Sequence, residues 1–513
     1  MVRAPEPHLP SVRMTRLLDD IEVLETSGDP AAVEVRGVEH DSRRISRGDL
    51  FCCLVGQRAD GHDYARDAVA RGAVGLLCER LVLGVPDQVV QVRVAPGRAR
   101  RAMARAAGAF WGHPARSLVM AGVTGTNGKT TVTQLLGAVL ERAGHPTTVV
   151  GTLTGPRTTP ESTDLQRLLA GVRDTHPPSP RPAVAMEVSS HALVQSRVDG
   201  ICFDVAVFTN LSHDHLDFHG TMEAYFEAKA LLFDAERTKV AVVYADDPWG
   251  RRLVERVAVP VVEVHDDQVG GVQLSVGRSR FTWRGIDVVV ALTGAMNVRN
   301  AHLAAEAALA LGVGPEVVAE GLAGVRSVPG RMEPVAVAGE KMADVDVLVD
   351  YAHTPAALET VLGEASRLAR ARGGRTVVVF GCGGDRDMAK RPMMGAIASR
   401  LADVVVVTSD NPRSEDPGAI IDDVVAGIVP AHGATVVLEP ARAAAIDTAI
   451  RSARPGDVVV VAGKGHETTQ TVGARAIPFD DRQVAAEALA RRAARDGVPE
   501  TAPDDGADAT QGG

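Results

Sequence analysis

The 513-residue sequence predicts an α/β protein built on parallel sheets and divided among several domains. Three observations predict it. The length exceeds what one hydrophobic core ordinarily serves, which implies two to four domains. Near the C-terminus, "VDVLVDYAH", "RTVVVFGCGGDRD", "ADVVVVTSDNPR" and "GDVVVVAGKGHE" share one shape, a dense β-branched run ending in glycine, aspartate, histidine or arginine. Such apolar strands, separated by helical stretches, belong to a sheet covered on both faces. Upstream, the apolar run "LVMAGVT" passes into a glycine-rich turn and then a helical pattern.

Taken in order, residues 1 to about 20 hold several prolines and read as loose. A small mixed domain follows, with "DSRRISRGDLFCCLVG" and then "ADGHDYARDAVARGAVGLLCER", an alanine-rich helix and a short apolar strand. "WGHPARS", Trp111–Ser117, reads as a linker. The next unit starts at "LVMAGVT" and carries a helix from about Thr130 to Arg142. Strands at "AVAMEVS" and "DVAVFTN" each end in polar residues, "KVAVVYADD" and "GIDVVVAL" are expected to extend this unit, and a helical tract at 298–311 closes it. Near Val325–Arg331, "VRSVPGRM" marks the next boundary. The expected division is 1–116, 117–325 and 326–496, with 497–513 a disordered tail low in large apolar residues. Active groups in such folds gather outside the carboxyl ends of the strands.

Composition narrows the function classes. Apolar residues make up 45% and charged residues 23%, as in ordinary globular chains, and the formal charge of −10 disfavours general nucleic-acid binding. Cys52, Cys53, Cys78, Cys202 and Cys382 form no CxxC pair, which suits a reducing interior. The first residues lack the apolar segment of an export signal, and no span of about twenty lipid-compatible residues follows. The expectation is a soluble cytoplasmic protein without stable membrane insertion.

The loop "GVTGTNGKTT" misses the usual Walker spacing, because Val123 holds the place of its first glycine. Gly122, Gly125 and Gly128 still allow close backbone approach, and the helix start presents amides to phosphate oxygens, together with Thr126 and Asn127. Lys129 is placed to neutralise β/γ-phosphate charge and Thr130 to offer a hydroxyl to Mg²⁺. The bland alternative is a strand-to-helix turn with its lysine in water. In "AMEVSSHALVQSRVDG", Glu187 is a candidate hard-cation ligand. Ser189, Ser190, His191, Gln195 and Arg197 suit an anionic substrate or, more plainly, a helix cap.

"TNLSHDHLDFHGTMEAYFEAKALLF" crowds Asn210, Asp214, His215, Asp217 and His219 into one turn, with His215 a candidate for the Mg²⁺ shell. Lys229 lies on a mostly apolar helix, where the residue pattern alone favours a snorkelling side chain. A buried neutral amine could instead take up CO₂ as a carbamate. Asn297 and Asn300 begin a helix, while Arg331, Asp350 and His353 read either as nucleotide contacts or as a polar hinge. Finally Arg386, then Asp410, Asn411 and Arg413, then Gly463 and Glu467 fall at successive strand ends. Guanidinium forks for carboxylates and carboxylates for ammonium groups describe a pocket for a zwitterionic amino acid. Surface ion pairs are the competing account.

Taken together, "GTNGKTT", "MEVSSHAL", "TNLSHDHLDFHGTMEAY", "DYAHTP" and "GKGHE" resemble the Mur ligase family of peptidoglycan precursor synthesis, over most of the chain apart from both ends. The resemblance implies a three-domain architecture: an N-terminal UDP-binding domain, a central P-loop ATPase-like domain and a C-terminal Rossmann-like domain. It also implies ATP as substrate, Mg²⁺, and a CO₂-derived carbamate on Lys229. The motifs look like the branch that adds the third amino acid, joining meso-2,6-diaminopimelate to the D-glutamate of UDP-N-acetylmuramoyl-L-alanyl-D-glutamate through an acyl phosphate.

Position by position, the resemblance gives Ser42 and Arg43 to the UDP end, and Thr158, Thr159, Ser189, Gln195 and Arg197 to the muramoyl-dipeptide. Gly125, Thr126, Asn127, Gly128, Lys129, Thr130, Asn297, Asn300, Arg331, Asp350 and His353 fall to ATP. Thr130, Glu187, His215 and Lys229 fall to the metal site, with Lys129, Lys229 and His215 catalytic. Arg386, Asp410, Asn411, Arg413, Gly463 and Glu467 fall to the incoming amino acid. "DNPR" looks like the diaminopimelate form, its Arg413 suited to the distal carboxylate, whereas lysine-adding relatives commonly lack this arginine. L-lysine addition, a folate-adding glutamate ligase and an ATP-controlled amino-acid-binding protein are the rival readings.

Overall fold

A computed structural model describes residues 11–56, 59–336 and 344–496. The tail expected to be disordered, 497–513, lies outside the described residues, as do residues 1–10 of the segment expected to be loose. The rest of that segment is ordered: Val12–Arg13 pairs antiparallel with Glu34–Val35, and the helix Met14–Leu18 buries Met14 and Leu17. Its apolar residues reach a core, which the prolines before it disguised.

The chain divides into two compact units, Met1–Leu274 with Arg278–Val328, and Ser275–Gly277 with Pro329–Gly513. The two larger sheets of the first unit have five and six strands. The smaller orders its strands Glu25–Ser27, Val90–Arg93, Gly75–Cys78, Asp49–Cys52, Gly37–Glu39, with only the first pairing antiparallel. The helix Ala99–Phe110 packs Met103, Ala106, Ala107 and Phe110 with Leu50, Leu77, Val90 and Val92.

The larger sheet is parallel throughout and runs Val261–Val264, Ala241–Tyr244, Val205–Phe208, Val119–Thr124, Ala183–Glu187, Thr147–Val150. Its first strand in sequence is therefore central. The chain steps outward to one side and then to the other, so a crevice opens at the carboxyl end of Val119–Thr124, where such sheets bind ligands. The strand is buried throughout, as a sheet covered on both faces requires. Leu135, Leu136 and Val139 of the helix Lys129–Arg142 cover one face, and Leu165, Leu169 and Phe226 cover the other.

Ile286–Val290, from "GIDVVVAL", falls within the first unit as expected, and there it pairs antiparallel with Arg278–Trp283. Both strands carry period-two burial in part, which a reading of apolar density alone overlooks. The expected helix at 298–311 forms as Ala295–Ala310.

The second unit has one six-stranded sheet, ordered Glu333–Pro334, Asp346–Asp350, Val458–Ala462, Thr376–Phe380, Val404–Val407, Thr435–Leu438. All but the first pair are parallel. The four runs singled out in the sequence are its neighbouring inner strands, and inserting Val458–Ala462 between the first two brings distant loops to one edge. Pro355 occupies the first turn of the helix Pro355–Ala371, whose start Thr354 caps through its side chain.

Candidate functional site

In the first unit the crevice is filled by the loop after Val119–Thr124. Gly125 has φ +145° and Gly128 φ +87°, conformations that side chains resist. A Cβ on Gly125 would lie 1.9 Å from the Thr209 hydroxyl, and one on Gly128 would lie 2.5 Å from Asn300 Oδ1. Lys129 Nζ donates to the carbonyls of Gly125 and Thr126, both at 2.9 Å, so its ammonium arches over the loop. Asn127 N donates to Asn210 Oδ1 at 3.1 Å and Thr126 N to the Asn210 carbonyl at 2.9 Å. Asn300 donates to Asn297 Oδ1 at 3.1 Å, and Asn297 to the Thr293 carbonyl at 2.9 Å, so both asparagines stand beside the loop.

Thr130 and Glu187 meet: the hydroxyl donates to Oε2 at 3.1 Å. Thr152 N donates to Glu187 Oε1 at 2.8 Å, which aims the carboxylate toward the loop. Two hard oxygen ligands at the start of a phosphate-type helix fit Mg²⁺, which takes one or two protein oxygens and completes its shell from water and phosphate. Among the described residues no group of three or more histidine, cysteine, aspartate and glutamate side chains is arranged for a metal.

His215 lies in a left-handed conformation with φ +54°. Its ring meets His191 edge-on at 4.9 Å and Tyr225 at 6.1 Å. Burial, with nearby positive charges, lowers its pKa to about 4. Lys229 is 1% exposed and donates to the Gly125 carbonyl at 2.7 Å. The snorkelling reading is therefore wrong: the helix Met222–Ala230 points this amine into the loop, not into water. Burial first, and then the charge of Lys129, hold its pKa well below the ordinary lysine value.

The predicted dipeptide residues converge on Glu187. Thr158 and Thr152 share a hydrogen bond at 3.0 Å, and Thr159 donates to the Glu187 carbonyl at 2.8 Å. Ser189 N donates to Thr159 Oγ1 at 3.1 Å. Arg197 donates to the Thr159 carbonyl at 2.9 Å and to Gln195 Oε1 at 2.7 Å. Ser42 and Arg43 form the short helical turn Ser42–Arg44, but the Arg43 guanidinium folds back on Asp41 at 2.7–2.9 Å. Their neighbours make the link instead: His40 reaches Thr163 at 3.2 Å and Arg44 reaches Asp164 at 2.6 Å.

In the second unit, Asp350 is buried and accepts from Met332 N and Ala352 N at 2.7 and 2.8 Å. Burial pushes its pKa up against the pull of Arg331. Arg331 stacks on Tyr351 at 4.7 Å, and the His353 ring lies 4.6 Å from the same ring, so these three residues share one corner.

The amino-acid residues gather at the neighbouring strand ends. Asn411 donates to Asp410 at 3.2 Å and to Glu467 Oε2 at 2.9 Å. Gly463, at φ +116°, gives up its side chain beside Asp410, whose carboxylate lies 3.6 Å from where a Cβ would stand. Arg413 donates to the Gly384 carbonyl at 2.7 Å. A Cβ on Gly383 would come within 2.9 Å of Arg413 Nη1 and 3.8 Å of Arg386 Cγ, so the two arginines flank one glycine. The arrangement offers forks for carboxylates beside acceptors for ammonium groups.

Three comparisons bear on this geometry. The Mur ligase family catalytic domain pattern matches residues 34–119, the Mur ligase middle domain 123–308, and the Mur ligase glutamate ligase domain 330–465. The chain belongs to the Mur ligase family. A relative from Gloeobacter violaceus named UDP-N-acetylmuramoyl-L-alanyl-D-glutamate–2,6-diaminopimelate ligase is 44% identical over 95% of this chain and 100% of its own. One of the same name from Streptomyces avermitilis is 45% identical over 89% of this chain and 92% of its own. A solved structure of a ligase of that name matches with TM-score 0.63 at 30% identity, covering 94% of this chain and 100% of the other.

Within this Mur ligase chain, sequence reasoning passed over several residues that shape the site. Thr209 donates to the Asn127 carbonyl at 2.6 Å, and the Tyr225 hydroxyl accepts from Thr126 at 3.3 Å. Lys464 is fully buried and donates to Glu467 at 2.9 Å and to the Thr469 carbonyl at 2.6 Å. Although burial would raise the Glu467 pKa, Lys464 and Asn411 bring it below the ordinary value. A lysine one glycine beyond a wholly apolar strand was the available signal, since such a residue is rarely buried without a partner.

Proposed function

We propose that this Mur ligase joins meso-2,6-diaminopimelate to the D-glutamate of UDP-N-acetylmuramoyl-L-alanyl-D-glutamate, with ATP consumed, in peptidoglycan precursor synthesis. The observation that carries the reading is 44% identity, over 95% of the chain, to a relative bearing that ligase's name. The expected division into 1–116, 117–325 and 326–496 is read as substrate-nucleotide, ATP and amino-acid domains.

A free carboxylate is a poor acceptor for an amine because its oxygen leaves badly. Phosphorylation removes that obstacle: the glutamate γ-carboxylate attacks the γ-phosphorus, giving an acyl phosphate and ADP. Gly125, Thr126, Asn127, Gly128, Lys129 and Thr130 cradle the phosphates, and Lys129 offsets charge that grows during transfer. Asn297 and Asn300 stand beside the loop for the nucleotide, and the resemblance also gives Arg331, Asp350 and His353 to ATP. Mg²⁺, held by Thr130 and Glu187, would supply electrostatic neutralisation of the phosphates. The resemblance adds His215 and Lys229 to that shell. A carbamate on Lys229, formed from its amine and CO₂ with loss of a proton, would put oxygens where the buried amine meets Gly125.

Thr158, Thr159, Ser189, Gln195 and Arg197 hold the dipeptide, with Ser42 and Arg43 at the UDP end. Arg386 and Arg413 take the carboxylates of diaminopimelate, and Asp410, Asn411, Gly463 and Glu467 take an ammonium group. An ammonium must lose its proton before it can attack the acyl carbon and expel phosphate. The free cysteines and the lack, among the described residues, of a helix long and apolar enough to cross a membrane are consistent with a cytoplasmic site of action.

The test is phosphate release and amide product by mass spectrometry, with the nucleotide dipeptide and each amino acid in turn. Diaminopimelate is expected to be used in strong preference to L-lysine. Preference for L-lysine overturns the substrate assignment, and nucleotide binding without any amide product overturns the ligase.

A further inference from the structure

Arg391, in the first turn of the helix Lys390–Leu401, is 0% exposed. One terminal nitrogen of its guanidinium donates to both oxygens of Glu415 at 2.9 Å and to the Gly383 carbonyl at 3.4 Å. The other donates to Asp423 Oδ2 at 2.9 Å. An arginine is almost never fully buried unless it is paired, and taking one partner from a buried pair leaves a costly bare charge. What this pair holds together therefore decides what it is for.

Gly383 and Glu415 belong to different loops. Residues 381–387 follow the strand Thr376–Phe380 and carry Arg386, while residues 408–416 follow Val404–Val407 and carry Arg413. The two loops are laced to each other. Gly384 N donates to the Asn411 carbonyl at 2.9 Å, and Ser414 Oγ donates to Asp385 Oδ1 at 2.6 Å. Glu415 Oε1 accepts from Arg391 on one side and from Asp385 N on the other. Asp385 and Arg413 both have left-handed backbones, at φ +54° and +51°. Residues other than glycine keep such angles only where their surroundings over-determine them. Asp385 directly precedes Arg386, so the angle held by Glu415 aims that arginine.

We propose that Arg391 and Glu415 are positioning residues: they hold the two loops at one separation, fix the gap between the Arg386 and Arg413 guanidinium groups, and so set which length of dicarboxylic amino acid the pocket prefers. This rests on the function proposed above, which makes that amino acid the incoming substrate. Neither residue touches the substrate; each acts through the arginines. A pocket whose forks already stand at the right spacing spends no affinity on ordering its loops. Without the brace the left-handed turns relax, and a substrate that needs both forks at once loses more than one that needs a single fork.

The test is steady-state amide formation by wild type, Glu415→Ala, Glu415→Gln, Arg391→Lys, Arg413→Ala and the double variant Glu415→Ala/Arg413→Ala. Diaminopimelate, L-lysine and ATP are each varied, with thermal melting as the check on folding. In Glu415→Ala, Asp423 still pairs with Arg391 and the exposed Asp385 turns its N–H to water, so this variant should fold even if Arg391→Lys does not. Its KM for diaminopimelate is expected to rise about tenfold, with kcat and the KM for ATP unchanged and a much smaller loss with L-lysine. Arg391→Lys, which keeps the charge without the fork, should show the same pattern. Glu415→Gln keeps an acceptor for Asp385 N and should regain most of the affinity. In the Arg413→Ala background, Glu415→Ala is expected to add less than about twofold, because no spacing remains to be set once one fork is gone. A loss shared equally by L-lysine or ATP, full additivity with Arg413→Ala, or no loss in a folded variant overturns the positioning role. Wild type that forms no amide, or that prefers L-lysine, overturns the proposed function and the positioning role with it.

Discussion

The amine of Lys229 lies 2.7 Å from the carbonyl oxygen of Gly125, so a buried side chain from one helix touches the phosphate loop of another element directly. The ring of Tyr225 lies 4.5 Å from the same amine. A lysine so placed is costly as a cation and useful if converted to an oxygen-bearing anion. Lys229→Met keeps the length and removes the chemistry. It is expected to melt within a few degrees of wild type while amide formation falls by about a hundredfold or more. Lys229→Ala should regain part of its rate when acetate or formate is added, because a small carboxylate can occupy the space left by the side chain. A methionine variant that ligates at the full rate would remove Lys229 from the chemistry.

Gly125 supports a second prediction. Its φ of +145° and the 1.9 Å approach of a Cβ to Thr209 Oγ1 mean that Gly125→Ala cannot keep the loop in place. Affinity for a non-hydrolysable ATP analogue should fall by about thirtyfold or more, while Thr209→Ala, which loses one hydrogen bond to the Asn127 carbonyl, should cost less than about tenfold. Titration calorimetry on both variants checks the ranking, and equal losses would contradict it.

These two residues also mark the limit of what was legible in the sequence. The glycines at the phosphate loop, the inner strands of the second unit and the helix at Pro355 were readable because local rules govern them: φ freedom, β-branched density and a fixed proline angle. Lys229 was misread from its own pattern because burial depends on what packs over a helix, and the partner carbonyl is 104 residues away in sequence. The hold of Asp41 on the Arg43 guanidinium, and the reach of His40 and Arg44 to the next segment, are contacts that the residue pattern does not show. Thr209 and Lys464 were passed over because a hydroxyl or ammonium declares its role only once its acceptor is known.

The first unit has an acid-sensitive brace. Glu306 accepts from Trp283 Nε1 at 2.8 Å and from Arg284 at 2.9 and 3.1 Å. Burial alone would raise its pKa; contacts with His302, Arg284 and Trp283 win, and bring it from 4.5 down to about 2. A carboxyl depressed on folding stabilises the native state fully above its unfolded value and loses that contribution as pH falls from about 4.5 toward 2. The gap is worth about 3 kcal/mol. Urea midpoints of wild type and Glu306→Gln should therefore differ by a constant amount above pH 5 and converge as pH falls toward 3. A difference that does not change with pH would show that packing, not charge, sets the loss.

Substitution of Arg413 is expected to separate substrate choice from nucleotide use. Its backbone is locked at φ +51°, its N–H donates to the Thr471 carbonyl at 3.1 Å, and its guanidinium reaches the Gly384 carbonyl at 2.7 Å. The backbone locks remain in Arg413→Ala, apart from a modest strain already present, so the loop is expected to persist while one carboxylate fork disappears. KM for diaminopimelate should rise by about tenfold or more, with KM for ATP unchanged. L-lysine, which lacks the distal carboxylate, should lose far less, so the preference between the two amino acids narrows. Equal losses for both would place Arg413 at the shared end of the amino acid, and a matching rise in the KM for ATP would make its role structural.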